Sequence, residues 1–209
     1  MIKVEHVEVC GALAAMRGMR NAMNSWHLND SYMEEGREII GENDLGLLLR
    51  LTKAGKSHRK ALRMMHIQLD VTAPLYWWKD YDTYKVGTVA NSCSTMHKIH
   101  AKEFVMTDFS HDKLDMEGLV WLRGTIRQLN KYRDAFNADK TNKKAWYNMI
   151  QILPSSYNQK RTLDLNYEVA LSIVMDRRLH KLDEFRQLVT ALLAQVPYLE
   201  EIVKATRYE

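Results

Sequence analysis

Residues 152–186 read ILPSSYNQKRTLDLNYEVALSIVMDRRLHKLDEFR, and the rest of the chain is understood from this stretch. Asn166 follows Pro154 by twelve residues, and Arg177 follows Asn166 by eleven. On a helix, eleven steps of about 100° close three turns with about 20° left over, so the two side chains share a face. The spacing predicts a helix over about 160–178 that carries an amide and a guanidinium beside an otherwise apolar stripe. Such a pair builds a poor core and a good holder for a polar, anionic ligand.

The remainder of the chain allows that reading. Its 209 residues, 46% hydrophobic and 27% charged, suffice for one domain with a full core, and residues 1–209 are expected to form a single domain. Mean hydropathy is negative, and no apolar run approaches the roughly 18 residues of a membrane span. MIKVEHVEV at the start alternates like a strand and lacks the apolar block of a signal peptide. The two cysteines, Cys10 and Cys93, supply no disulfide framework, so a reducing cytoplasm is the expected location. The net charge of +4 comes from dispersed lysines and arginines, which argues against a nucleic-acid interface and suffices for a small phosphorylated ligand.

Periodicity gives the outline. Residues 2–9 read as a strand and 11–25 as a helix, with Leu13, Met16, Met19 and Met23 on its apolar face. A polar loop over 25–31 leads to a helix over Asn43–Ala54 that stops at Gly55, and Ser57 can cap a short helix over 58–65. Ile67, Leu69 and Val71 alternate with Gln68 and Asp70 in a half-buried strand ending at Ala73-Pro74. The aromatic, turn-rich segment 75–95 follows. Ser110 or Asp112 can cap a long helix through Ala135, and a further helix over 143–152 stops before Pro154. Helices over 160–178 and 181–195 precede a short tail. The expected class is α+β, mostly helical, with the strands in one small, mainly antiparallel sheet.

This order and the C-terminal spacing resemble the flavin-dependent thymidylate synthases, the thymidylate-synthase-complementing family. That family has a Leu-Pro before its ligand-binding helix, an Asn that contacts flavin and an Arg that contacts nucleotide. Leu153-Pro154, Asn166 and Arg177 occupy those places without a gap, and Glu184 and Arg186 match its next segment after a one-residue deletion. Gly55 with His58, and Ala73-Pro74, are further points of likeness. The family's Arg-His-Arg motif is missing. Counting from Ala73-Pro74, its slots hold Thr83, Tyr84 and Lys85, with Cys93 in the serine position; slipping by one recovers Ser92 but puts Asp82, Thr83 and Tyr84 in the slots. Ile150 stands for the Arg shortly before Leu-Pro, and Glu168 reverses the charge of the Arg two residues after the flavin-contacting Asn.

The resemblance implies a homotetramer whose sites combine several subunits, with FAD as cofactor and NADPH and methylenetetrahydrofolate as cosubstrates. It implies methylation of the uracil ring of dUMP or a related pyrimidine nucleotide. By the same likeness Asn166 and His58 hold FAD, while Arg177, Arg186, Lys85 and Ser92 hold the nucleotide. Lys85 would act as a point charge in place of a two-pronged arginine, and Gly87 would let backbone approach a ligand closely. Each of these residues has an ordinary reading too. Arg177 can be a surface or salt-bridged arginine, Asn166 an exposed helix residue, and Arg186 a partner of Asp183 or Glu184. The Asn91–Thr95 segment offers hydroxyls and a thiol for phosphate, or is simply a turn. Tyr76, Trp77, Trp78, Tyr81 and Tyr84 can stack on a base or fill a core or an interface. Cys93, His97 and His100, at spacings of four and three, would share a helical face as zinc ligands, and Cys93–His97 would be a nucleophile pair; neither has a supporting motif. The missing Arg-His-Arg keeps a second function open, a nucleotide-binding relative with altered or no chemistry. A nucleic-acid-binding helical domain rests on the modest positive charge alone.

Overall fold

The structure, a computed structural model, describes residues 2–206. The strands are β1 (Lys3–Cys10), β2 (Tyr32–Glu34), β3 (Arg37–Ile39), β4 (His66–Pro74), β5 (Thr88–Ser92) and β6 (Asn158–Asn166). The helices are α1 (Ala12–Arg20), α2 (Glu42–Lys53), α3 (Leu75–Tyr81), α4 (Met116–Ala138), α5 (Lys143–Gln151), α6 (Tyr167–Arg177), α7 (Asp183–Gln195) and α8 (Leu199–Thr206). The expected class holds: α+β and mostly helical, with little sheet. The strands form two sheets and not one. Four of them run in the order β1-β4-β6-β5, and β2 pairs antiparallel with β3, Tyr32 opposite Ile39. Glu35 and Gly36, both at positive φ, make the tight turn between that second pair.

The helix expected over 160–178 is a strand followed by a helix. Along β6, Gln159, Leu163 and Leu165 are buried while Thr162 is exposed, a period of two. From Tyr167 the burial becomes nearly continuous through Val169, Ala170, Leu171, Ile173 and Val174, so α6 is an interior helix. Asn166 marks the junction. Its side chain accepts from the Val169 N–H at 3.0 Å, the bond of an N-cap.

Other expectations are corrected in the same way. Residues 58–65 contain a 3-10 turn over Lys60–Arg63 without a side-chain cap from Ser57. Asp115, not Ser110 or Asp112, caps α4 by accepting from Gly118 N–H at 2.8 Å. Ser110 instead donates to Asn158 Oδ1 at 2.9 Å. The aromatic stretch forms α3 and β5, and the C-terminal tail contains α8.

Contacts divide the chain into two compact units. One contains residues 71–83 and 91–161. Its core joins Leu122, Ile126 and Leu129 of α4 to Met149 of α5 and to Ile99, Phe104 and Phe109. The carboxamide of Asn130 accepts from the Phe104 N–H and donates to the Phe104 carbonyl, both at 2.9 Å, so the loop backbone beside this core is satisfied. Trp77, Trp78 and Tyr81 of α3 are buried against one another, Trp77 stacking on Tyr81 at 5.1 Å, which is the core reading of the aromatic cluster.

The other unit contains residues 4–70, 84–90 and those from Thr162 onward. α6 packs there against α7, α8 and the 3-10 turn at 60–63, and α2 packs on α8. Two ion pairs organise it, the first buried and the second part-buried. Arg20 meets Asp44, and Arg59 meets Glu168, each at 2.8 Å. Asp44 also accepts from the side chains of Asn29 and Ser31 and from the N–H groups of Asp30 and Ser31. Asp30 returns the favour by accepting from the Asn43 and Asp44 N–H groups, so it caps α2 from a distant loop. Gly41 stands at the usual cap position, where a Cβ would lie 2.2 Å from the Asp30 carboxyl carbon.

Candidate functional site

Three groups of residues with ligand-holding chemistry emerge, two in the unit built on α6 and one in the other. The first lies along α6 and the segment 84–90. Arg177 is the last residue of α6 and Asn166 its N-cap, so the two stand at opposite ends, roughly 16 Å apart along the axis. This corrects the expectation that both lie within one helix. The segment Tyr84–Gly87 reaches both ends. Tyr84 Oη accepts from Arg177 Nε at 3.0 Å, and the Gly87 carbonyl accepts from the Asn166 N–H at 3.3 Å. The Arg177 guanidinium also lies over the Phe185 ring, 4.6 Å from its centre. An arginine stacked on one ring and bonded to a second has a fixed plane, which suits recognition of phosphate or a pyrimidine carbonyl.

Gly87 is needed here for two reasons. Its φ of +76° is one that side-chain-bearing residues rarely adopt, and a Cβ would lie 2.6 Å from Asn166 Nδ2. Asn166 itself is only 8% exposed, with Oδ1 used in capping, while its Nδ2 has no hydrogen-bond partner among the described residues. That N–H group remains available to a ligand. Lys85 lies in this segment, exposed, beside Val86.

The second group surrounds a cavity of about 730 Å³. Met19, Met23, Leu47, Leu51 and Met64 give it apolar walls, Arg50 and Lys60 give it positive charge, and His58 adds an imidazole. Among the described residues no acidic side chain lines it. The side chains of these three make no hydrogen bond or ion pair among the described residues. Cations left uncompensated around an apolar cavity call for an anion with a flat or apolar body. The sequence pointed to His58 but missed Arg50 and Lys60, because they come from α2 and the 3-10 turn and share no motif.

The third group, in the other unit, lines a cavity of about 280 Å³ with Cys93, Ser94, Thr95, Lys102, Tyr157 and Lys160. Lys102 pairs with Asp108 on its rim. Burial, with Asp108 and Cys93 nearby, pushes the Tyr157 phenol above its usual range, so it is a neutral hydrogen-bonding group there. Ser92 is exposed on β5 and does not line this cavity. The hydroxyl that shapes the turn is Ser94, which accepts from the N–H groups of Met96 and His97. The hydroxyl-rich run Asn91–Thr95 was the signal for it.

Arg186 lies on the exposed side of α7, where it donates to the His180 carbonyl at 2.6 Å and pairs with Asp183. Residues 93–100 are not helical, so Cys93, His97 and His100 do not share a helical face. Among the described residues no group of three His, Cys, Asp or Glu side chains is placed to hold a metal. His100 packs edge-on against Phe136 at 4.9 Å, and burial holds its imidazole below its usual pKa.

No protein-family model and no curated protein matches the sequence. Solved structures do match. The flavin-dependent thymidylate synthase ThyX of Helicobacter pylori, crystallised with FAD and dUMP, superposes with a TM-score of 0.67 over 98% of this chain and 100% of its own, at 15% identity. The UMP/dUMP methylase PolB of Streptomyces cacaoi, bound to 5-bromo-dUMP, gives 0.64 over 99% and 96%, at 16% identity. The chain has the fold of these enzymes. At such identities the likeness extends to the fold alone, so a function for this chain has to be argued from its own residues. Among the described residues no helix is long and apolar enough to cross a membrane.

Proposed function

We propose that this protein is a flavin-dependent, thymidylate-synthase-like enzyme that methylates the uracil ring of dUMP or a related pyrimidine nucleotide. The observation that carries the reading is Arg177, oriented by Tyr84 and Phe185 at one end of a helix whose other end is Asn166. It is supported by a fold whose solved examples were crystallised with FAD and dUMP, or with 5-bromo-dUMP.

The residues present carry the chemistry that an FAD molecule needs. Its two phosphates need cations and hydrogen-bond donors, which Arg50 and Lys60, with His58, supply around an apolar cavity. Its ring edge needs N–H donors, which Asn166 Nδ2 supplies. When bound and reduced, FAD would supply the hydride, with NADPH as reductant and methylenetetrahydrofolate as one-carbon donor. Arg177 binds the nucleotide's phosphate or polarises a pyrimidine carbonyl, and Lys85 adds a second positive charge. Arg186, exposed on α7, would add a further cation to the nucleotide. Sites that combine several subunits would make the active form a homotetramer.

One observation favours a second reading, a nucleotide-binding relative without flavin chemistry. The slots of the Arg-His-Arg motif hold Thr83, Tyr84 and Lys85, and Tyr84 is engaged with Arg177. The two readings separate in one assay. Incubation of dUMP tritiated at C5 with the protein, FAD, NADPH and methylenetetrahydrofolate should release tritium to water as the methyl group replaces hydrogen. Binding of dUMP with no release supports the second reading.

A further inference from the structure

The wall of the cationic cavity is held in place by a residue pair that does not line it. Ser57, His58, Lys60, Ala61 and Met64 face the cavity, whereas Arg59 turns away and is buried, 6% exposed. Its Nε lies 2.9 and 3.1 Å from the two oxygens of Glu168, and its Nη2 lies 2.8 Å from Oε1. Glu168 sits in the first turn of α6, two residues after Asn166, where a carboxylate is favoured by the helix dipole. A second tie lies alongside, from the Tyr167 N–H to the Met65 carbonyl at 3.0 Å.

The segment 57–64 contains one 3-10 turn with no side-chain cap, anchored by the buried Ala61 and Leu62 at one end and by the buried Arg59 between His58 and Lys60. Arg59 is the buried residue directly between His58 and Lys60, so what holds it helps to set their directions. We propose that the Arg59–Glu168 pair is a positioning clamp that presents the His58–Lys60 wall to an anionic flavin nucleotide. Glu168 is then a determinant of cofactor affinity that does not itself line the cavity. On this account the acidic residue after Asn166 does not remove a ligand cation. It orients Lys60 and His58. The inference deepens the flavin reading and rests on it.

The test uses the full chain carrying Glu168→Gln, with FAD titration and amide hydrogen exchange as separate readouts. The variant should fold cooperatively and bind FAD about tenfold more weakly, a loss of the size that preorganisation supplies. Amides of 57–64 should exchange faster than in the parent, and Glu168→Asp should recover most of both properties. Arg59→Lys, which keeps the charge but loses the fork, serves if Glu168→Gln does not fold. Parental exchange rates at 57–64, or parental FAD affinity in a folded variant, overturn the clamp. If the parent protein itself binds no FAD, the cofactor reading fails, and the exchange rates alone decide whether the clamp exists.

Discussion

Asp44→Ala should be the most destabilising single change in the unit built on α6. The Asp44 side chain is fully buried and Arg20 is 4% exposed, so the substitution leaves a guanidinium in the interior without its counter-charge. Removing one partner of such a pair costs about 3–5 kcal/mol. The same carboxylate holds Asn29, Asp30 and Ser31, and Asp30 in turn caps α2, so the loop and the first turn of the helix should loosen together. Thermal unfolding should shift down by roughly 10 °C, within the range expected for a chain of this size. Asp44→Asn keeps the shape and one acceptor and should fall between. Unfolding of Asp44→Ala at the parental midpoint would mean that the loop contributes little to the fold.

Arg177→Ala should remove nucleotide binding while leaving the fold largely intact. The stacking on Phe185 contributes about 0.5–1 kcal/mol at a partly exposed site, so the stability change is small. The affinity change is larger. Losing one or two charge-assisted hydrogen bonds at ~1.5–3 kcal/mol each lowers dUMP affinity about 100-fold. Arg177→Lys retains the charge but loses both the fork and the plane set by Tyr84, and should recover only part of the affinity. Calorimetric titration with dUMP measures both variants. Unchanged affinity in Arg177→Ala would place the nucleotide elsewhere, with the cavity around Ser94 and Lys160 the next candidate.

The parts of the fold that the sequence reveals are those where pattern and packing agree. Ile67, Leu69 and Val71 alternate and are all fully buried, so β4 was legible. α2 and α5 were legible from their apolar spacing, and Gly55 and Pro154 lie just beyond them. β6 was not, because Asn158–Asn166 carries only two aliphatic residues and runs into α6 with no glycine or proline between. The polar inward position, Gln159, is satisfied by donating to the Cys93 carbonyl and accepting from Arg161, partners that no local pattern announces. α8 left a signal that went unread, with Leu199, Ile202 and Val203 on one face and Glu200 paired to Lys204 one turn on.

The candidate site was legible in a similar proportion. Asn166, Arg177 and His58 could be singled out from motif spacing, because spacing survives where other residues of a pattern change. Their geometry could not. Asn166 is a cap and Arg177 the far end of the same helix, and the segment 84–87 touches both. Arg50 and Lys60 reach the cavity from separate elements, and Glu168, read from sequence as a lost cation, is the partner of Arg59.

Whether these residues form a flavin site is read from the visible absorption spectrum of the freshly purified protein, recorded before and after adding FAD. A flavin site gives a saturable perturbation of the flavin bands, present at once if cofactor is retained in purification. A spectrum equal to that of protein plus free FAD, even at excess cofactor, would contradict it and leave only the fold.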